Sequence, residues 1–388
     1  MKFRIERKCL LSGLQQIAGI IERRSTMPIL SHVLIEAMDA SHEHGMGISI
    51  FGTDLEMSIL NRYHADVISP GQLTCPAKKL LEITRELPDG MVKIELQENY
   101  WILIEAGKAQ FKIAGLSPDE FPAPSFLDGG GSYNISIPAD LLSKLIRKTV
   151  FATGENDPRY ILNGLLLHTH VTETKQMIRL VATDGHRLVL AEEAVKRHQG
   201  SSLEEQVIVP KKALLEIKRL LDEMPIIEDN AETEQWPEIT FGKSLLTLKY
   251  GTARLSSRLL NGNYPNYNQV IPKDNNKHIP ANKNALLGAL ARVSLLADDK
   301  TSLVSTTIGH GQIEFRAKNN LVGEAFESVE TSFDGEPFTT IFNAHYLRDL
   351  LLAIDDDEIV FEFKDGESAC LVREKLGRYL SLLMPLRD

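Results

Sequence analysis

Thr183-Asp184-Gly185-His186-Arg187 is the segment best supplied for chemistry. A carboxylate, an imidazole and a guanidinium so close together could do acid–base or phosphoryl work. The segment follows the apolar run Ile178-Arg179-Leu180-Val181-Ala182, and an Asp-Gly pair after a strand is also what a tight turn requires. Thr53-Asp54-Leu55-Glu56 repeats the Thr-Asp pair without the histidine. That favours a shared turn over a shared active site, and no catalytic residue is assigned. His42-Glu43-His44 and His168-Thr169-His170 alternate histidines, but no third and fourth ligand stand at a recognisable spacing. Asp355-Asp356-Asp357-Glu358 has the composition to hold a divalent ion, but a solvated turn after a helix is the better account of it. No phosphate-binding glycine loop occurs, so nucleotide-driven work needs an outside ATPase. Neither a cofactor nor a metal is expected.

The elements that carry these segments recur along the chain. Leu10-Leu11-Ser12-Gly13-Leu14 returns as Leu141-Leu142-Ser143-Lys144-Leu145 and, more weakly, as Leu286-Leu287-Gly288-Ala289-Leu290. Pro76-Ala77-Lys78-Lys79-Leu80-Leu81-Glu82-Ile83 returns from Pro210 and again from Asn343, at steps of 134 and 133 residues. Apolar side chains fall at i, i+3 and i+7 in each: Leu80, Ile83, Leu87; Leu214, Ile217, Leu221; Leu347, Leu350, Ile354. That spacing makes one face of a helix, and proline or asparagine suits its first turn or cap. Two helix types in the same order at three places predict three copies of one domain. Between the helices lie short β-rich runs such as Val92–Leu96, Trp101–Ile104 and Ile359–Phe363, punctuated by Pro88-Asp89-Gly90, Asn261-Gly262-Asn263 and Asp365-Gly366. The expected fold is α+β, each unit placing two helices on one face of antiparallel sheet. The seams fall at the glycine run 129–131 and at Pro272–Lys277, giving copies over 1–128, 132–272 and 277–388.

The 388 residues are 43% apolar, enough for a core in each copy, and a charged fraction of 25% is ordinary for a globular protein. Three widely spaced cysteines make no disulfide framework and fit a reducing cytoplasm. The charged start carries no secretory signal, and no run approaches the roughly 20 apolar residues that span a membrane. A net charge of −10 argues against a nucleic-acid binder. Its distribution is uneven, however. Helices expected over 8–24, 76–87, 139–153, 210–223, 282–297 and 343–352 hold 16 Lys and Arg against 8 Asp and Glu. Solvated helix faces would explain that excess, and so would a helix-lined surface facing phosphates.

Several short motifs occur in order on this triple repeat: Met1-Lys2-Phe3, Thr26-Met27-Pro28-Ile29-Leu30, Gly52–Met57, Arg159–Gly164, Val181–Leu188, Asn263-Tyr264-Pro265-Asn266-Tyr267 and Met384-Pro385-Leu386-Arg387. With them the chain resembles the bacterial DNA sliding clamp, the β subunit of DNA polymerase III, over essentially its whole length. The resemblance implies a head-to-tail homodimer. Six domains would form a ring around double-stranded DNA, with helices inside and sheet outside. Its partners would be the catalytic subunit of the replicative polymerase, a clamp-loader ATPase complex, and clamp-motif proteins of repair polymerisation, mismatch repair, ligation and initiator regulation. It implies DNA-facing roles for Arg24, Lys78 and Lys212, and for Asn156 and Tyr160 on a loop. A partner-peptide pocket would be made by Leu162, Thr183, Gly185, His186, Arg187 and Leu188 from one copy. Pro265, Val270, Asn343, Tyr346, Met384, Pro385 and Arg387 would complete it. Such apolar walls with a flexible methionine suit leucine or phenylalanine anchors. Phe111 would meet Leu295 and Leu296 of the other subunit, with plain core packing as the competing account of all three. Gln269 replaces an expected basic residue, and Ile161 an expected second tyrosine.

Overall fold

The computed structural model describes residues 1–21, 27–42, 45–126, 133–172, 175–195, 197–199, 206–223, 236–298, 300–374 and 378–386. Among them are six α-helices: α1 Arg7–Ala18, α2 Ala77–Glu86, α3 Ala139–Thr149, α4 Lys211–Glu223, α5 Lys283–Val293 and α6 Ala344–Ala353. Each lies where the apolar spacing puts it. The nine side chains of the i, i+3, i+7 pattern in α2, α4 and α6 are all buried. Asn343 caps α6, its Oδ1 accepting the N–H groups of His345 at 2.9 Å and Tyr346 at 3.1 Å. Asn282 caps α5 in the same way, through Ala285 N–H at 3.0 Å. Three helices stop earlier than expected. The chain leaves α1 through Gly19, while α3 and α5 tighten into the 3-10 turns Val150–Ala152 and Ser294–Leu296. None of the described helices is long and apolar enough to cross a membrane.

The chain packs as two compact units. The first is Met1–Ser143 with Lys196–Ser201 and Lys212–Leu259; the second is Lys144–Val195 with Ser202–Lys211 and Leu260–Asp388. Apart from the short extra strands Asp66–Ser69 and Arg197–Gln199, each sequence copy is written twice as a strand, a helix and three antiparallel strands. The three strands after one helix pair with the strand before the other, so each copy builds two small sheets. These sheets then fuse across copies. In the first unit Met57–Tyr63, the third strand after α1, pairs with Ala253–Arg258, the third strand after α4, and a nine-stranded sheet results. In the second unit Arg187–Ala194, third after α3, pairs with Tyr379–Leu383, third after α6, giving eight strands. The middle copy is therefore shared between the units, which explains why packing yields two bodies from three repeats. Two third strands are left at sheet edges: Ala109–Ala114 after α2 and Gly323–Glu330 after α5.

The expected seam at 129–131 lies outside the described residues, as does Glu43-His44 of the first histidine pair. At the other seam Asn275 donates its amide to the carbonyls of Glu362 at 2.8 Å and Ala369 at 3.0 Å. That stretch is fastened to the sheet beneath it.

Candidate functional site

The Thr183–Arg187 segment turns the hairpin between strands Gln176–Thr183 and Arg187–Ala194. The Thr183 hydroxyl donates to the Arg187 carbonyl at 2.7 Å and accepts the Gly185 N–H at 3.1 Å. Asp184 Oδ1 accepts the N–H groups of His186 and Arg187, both at 3.0 Å. Gly185 holds φ +89°, a left-handed conformation that glycine adopts without cost. The first copy builds the same turn bond for bond. Thr53 Oγ1 donates to Met57 O at 2.9 Å and accepts Leu55 N–H at 3.0 Å; Asp54 Oδ1 accepts Glu56 N–H at 3.0 Å and Met57 N–H at 2.6 Å. The shared turn is structural in both copies.

Arg187 shows what the second copy adds. It is 8% exposed, and each of its three guanidinium nitrogens makes a hydrogen bond. Nε donates to Asp184 Oδ2 at 3.0 Å, Nη1 to Asp349 Oδ2 at 2.8 Å and Nη2 to the Phe151 carbonyl at 2.7 Å. Its plane also lies 4.3 Å from the Tyr346 ring centre, a cation–π contact. The carboxylate and the guanidinium that suggested acid–base chemistry are thus spent on each other. Together they fix a turn, the end of α3 and the face of α6 in one place.

Around that fixture stand several of the residues expected to form the partner-peptide pocket. Leu162 and Leu188 are buried, and Leu188 belongs to a cluster with Leu166, Val181, Leu380 and Leu382. Tyr346 is half-buried and its ring lies 6.1 Å from that of His186, while Met384, Pro265 and Val270 are largely exposed. Met384 N–H donates to His186 O at 2.9 Å, so the C-terminal segment is hung on the turn itself. Pro385 follows, and Arg387 lies outside the described residues. Thr183 N–H donates to the Tyr264 hydroxyl at 3.1 Å. Burial pushes that phenol well above its usual range and keeps it neutral. Arg159 closes one side, forked onto Asp157 at 3.0 and 2.7 Å and donating to Asp184 O at 3.0 Å. The Arg159 side chain and N–H hold the Asp157 carboxyl down to about 2. Asp349, Phe151, Tyr264 and Arg159 all bond to the Thr183–Arg187 turn, although none was an expected pocket residue. Only Tyr264 and Arg159 lie within the ordered short motifs.

Of the expected DNA-facing residues, Tyr160 is 55% exposed, with its hydroxyl on Asn261 O, and Asn156 is exposed at φ +55°. Ile161 turns inward onto the apolar cluster, and Gln269 is exposed. Lys78 reaches Glu82 at only 3.9 Å, whereas Lys212 binds Asp54 closely. Arg24 lies outside the described residues. The positive excess of the helices is mostly spent in pairs. Lys144, Arg147 and Lys148 converge on Asp355 at 2.7, 2.8 and 2.9 Å, Lys218 binds Asp222, and Arg292 binds Glu327 at 2.6 Å. That gathering engages Asp355, the first residue of the acidic run. Among the described residues no three or more His, Cys, Asp or Glu side chains are gathered to hold a metal.

Phe111, on the edge strand Ala109–Ala114, is 36% exposed; Leu295 is 80% exposed and Leu296 half-buried. Core packing explains neither Phe111 nor Leu295.

Three family models match in sequence order: the N-terminal domain of the DNA polymerase III beta subunit over residues 1–125, its central domain over 136–266 and its C-terminal domain over 268–387. The chain belongs to the DNA polymerase III beta subunit family. The beta sliding clamp of Caulobacter vibrioides is 36% identical over 100% of both chains, and that of Escherichia coli 30% identical over 100% of both. The crystal structure of a DNA polymerase sliding clamp from Caulobacter crescentus matches with a TM-score of 0.88 at 34% identity, covering 100% of each chain. A Pseudomonas aeruginosa sliding clamp bound to griselimycin matches with a TM-score of 0.87 at 33% identity, again over 100% of each. Sliding clamps of this family are non-catalytic replication factors, in keeping with a turn whose Asp and Arg do structural work.

Proposed function

We propose that this chain is a DNA sliding clamp: two copies close head to tail around duplex DNA, slide without reading its sequence, and hold the replicative polymerase through the surface around His186, Tyr346 and Met384. The observation that carries the reading is the edge pattern. Both joins between copies pair the third strand after one helix with the third strand after another, and the two third strands left over are Ala109–Ala114 and Gly323–Glu330. One chain's first edge and a second chain's last edge are therefore the same kind of join, waiting for a partner. Extending the register of the internal joins places Glu324 opposite Lys112, so charge favours the pairing as well. Leu295, Leu321 at 96% exposure and Phe326 at 63% supply apolar side chains beside the second edge. A head-to-tail contact repeated by a two-fold axis closes, and it covers edges that would otherwise invite aggregation.

The clamp domains span 1–128, 132–272 and 277–388, and the protein works in the cytoplasm. The same pocket serves the clamp-loader ATPase and clamp-motif proteins of repair polymerisation, mismatch repair, ligation and initiator regulation. Griselimycin, bound by the Pseudomonas aeruginosa clamp, is a ready probe of it. Sedimentation equilibrium at micromolar concentration is expected to give twice the 43.4 kDa chain mass. Deleting Met384–Asp388 should weaken griselimycin binding at least tenfold and leave that mass unchanged. A monomer, or unchanged binding by the truncated chain, would overturn the reading.

A further inference from the structure

The two joins inside the chain are fastened differently, and the open edges carry the materials for only one of them. Between the first and second copies, Arg219 of α4 reaches across to α1. Its Nη1 donates to Gln15 O at 2.9 Å and its Nη2 to Gln16 O, carbonyls of a last turn that the helix leaves short of donors. Glu216 at 2.5 Å and Glu223 at 3.2 Å hold the guanidinium in place. Between the second and third copies the position of Arg219 is taken by Leu352. There Lys144, Arg147 and Lys148 of α3 converge on Asp355 instead.

The step of 134 residues that carries α2 onto α4 brings Arg85 onto Arg219, Glu82 onto Glu216 and Asp89 onto Glu223. The cluster of the second join has no such counterpart: Lys144, Lys148 and Asp355 correspond to Ala289, Val293 and Pro88. In α5, Ala291 and Arg292 stand where α1 has Gln15 and Gln16, and both are exposed. Arg292 has its own guanidinium on Glu327. Arg85 is exposed too and makes no ion pair among the described residues, because Lys79 holds Glu82 at 2.6 Å and Arg7 holds Asp89 at 2.8 Å. Its backbone is fixed by Arg7, which donates Nη2 to Arg85 O at 2.6 Å and Nε to Thr84 O at 3.0 Å. The side chain lines a groove with Ser12 and Gln15 of its own α1, so a change of rotamer is enough to redirect it.

We propose that Arg85 is the strut of the join between subunits, donating from α2 of one copy to the carbonyls of Ala291 and Arg292 of the partner subunit. The proposal rests on the clamp reading, which brings α2 of one chain beside α5 of the other. A planar fork of N–H donors suits two adjacent carbonyls, and the negative end of a helix dipole favours a cation there. Because the acceptors are backbone, α5 needs no matching side chain. The two-fold axis gives each ring two such struts.

The test is the dimer dissociation constant, read by dilution of fluorescently labelled protein. DNA is left out, so attraction for phosphate cannot contribute. Arg85→Ala is expected to raise the constant about tenfold or more, as loss of charge-assisted hydrogen bonds would. Arg85→Lys should recover only part of this, since one ammonium cannot fork onto two carbonyls. Lys78→Ala, two turns earlier on the same helix, should leave the constant within about twofold. An unchanged constant in Arg85→Ala, or an equal rise in Lys78→Ala, would overturn the strut. An unaltered protein that is monomeric at micromolar concentration would instead overturn the clamp reading, so the two failures are distinguishable.

Discussion

Arg187 ties three elements and an aromatic ring together with one guanidinium. It holds the turn through Asp184, α6 through Asp349 and the end of α3 through Phe151 O, and it stacks on Tyr346. Arg187→Ala would leave two carboxylates facing an empty space, a loss of about 3 kcal/mol by analogy with broken buried pairs. Thermal unfolding measures it, and griselimycin affinity should fall with it because Tyr346 loses its support. Gly185 is the second point of control. A Cβ there would stand 2.9 Å from Arg159 Nη1 in a backbone held at φ +89°. Gly185→Ala is expected to cost about 1–2 kcal/mol in the same measurement. The equivalent Leu55 tolerates φ +74° with its side chain exposed, so adding Arg159→Ala to Gly185→Ala should recover part of the loss. Recovery of nothing would mean that backbone strain alone decides.

The helices were legible because a face repeating at i, i+3 and i+7 can only be buried one way. The turn was legible too, since Thr-Asp recurred where histidine did not. The fused sheets were not. Alternating strands reveal which side chains face inward, but not which edge meets which, and that pairing is what divides the chain into two units rather than three. The helix charge was legible in amount and opaque in use. The carboxylates that consume it arrive from other elements, Asp54 for Lys212 and Asp355 for α3. At Asp355, burial alone would raise the carboxyl's pKa; hydrogen bonds from Lys144, Lys148 and Arg147 outweigh it and hold the group well below its usual range. A carboxyl depressed on folding stabilises above its unfolded pKa of about 3.9 and loses that contribution as pH falls toward the folded value. Lys148, 3% exposed, would then keep only Glu374 as a charged partner. Acid is therefore expected to loosen this junction below about pH 4. Asp355→Asn should flatten the fall of melting temperature in that window, and an identical pH profile would refute the assignment.

At the scale of the whole molecule, the three copies share an architecture and divide the labour. The two equivalent turns make the point. One carries His186, Arg187 and Met384 beside Tyr346; the other places Glu56, Met57 and Arg258 in the corresponding positions, with Arg258 N–H on Glu56 O at 2.9 Å. An exposed ion pair, Arg258 to Glu56 at 3.8 Å, stands there in place of histidine and methionine, so the proposed peptide pocket has no like counterpart at the first turn. In the proposed ring, closure depends on the remaining edges. Phe111→Asp is expected to yield monomers by sedimentation, because it buries a charge where an apolar contact is needed, while leaving griselimycin binding intact. A Phe111→Asp protein that stayed dimeric would place the interface elsewhere. The most direct test of the ring is topological. The dimer should be retained on nicked circular DNA at salt that abolishes binding to short duplexes, and should run off once that DNA is cut to a linear form. Retention indifferent to linearisation would mean ordinary adhesion and would contradict an encircling clamp.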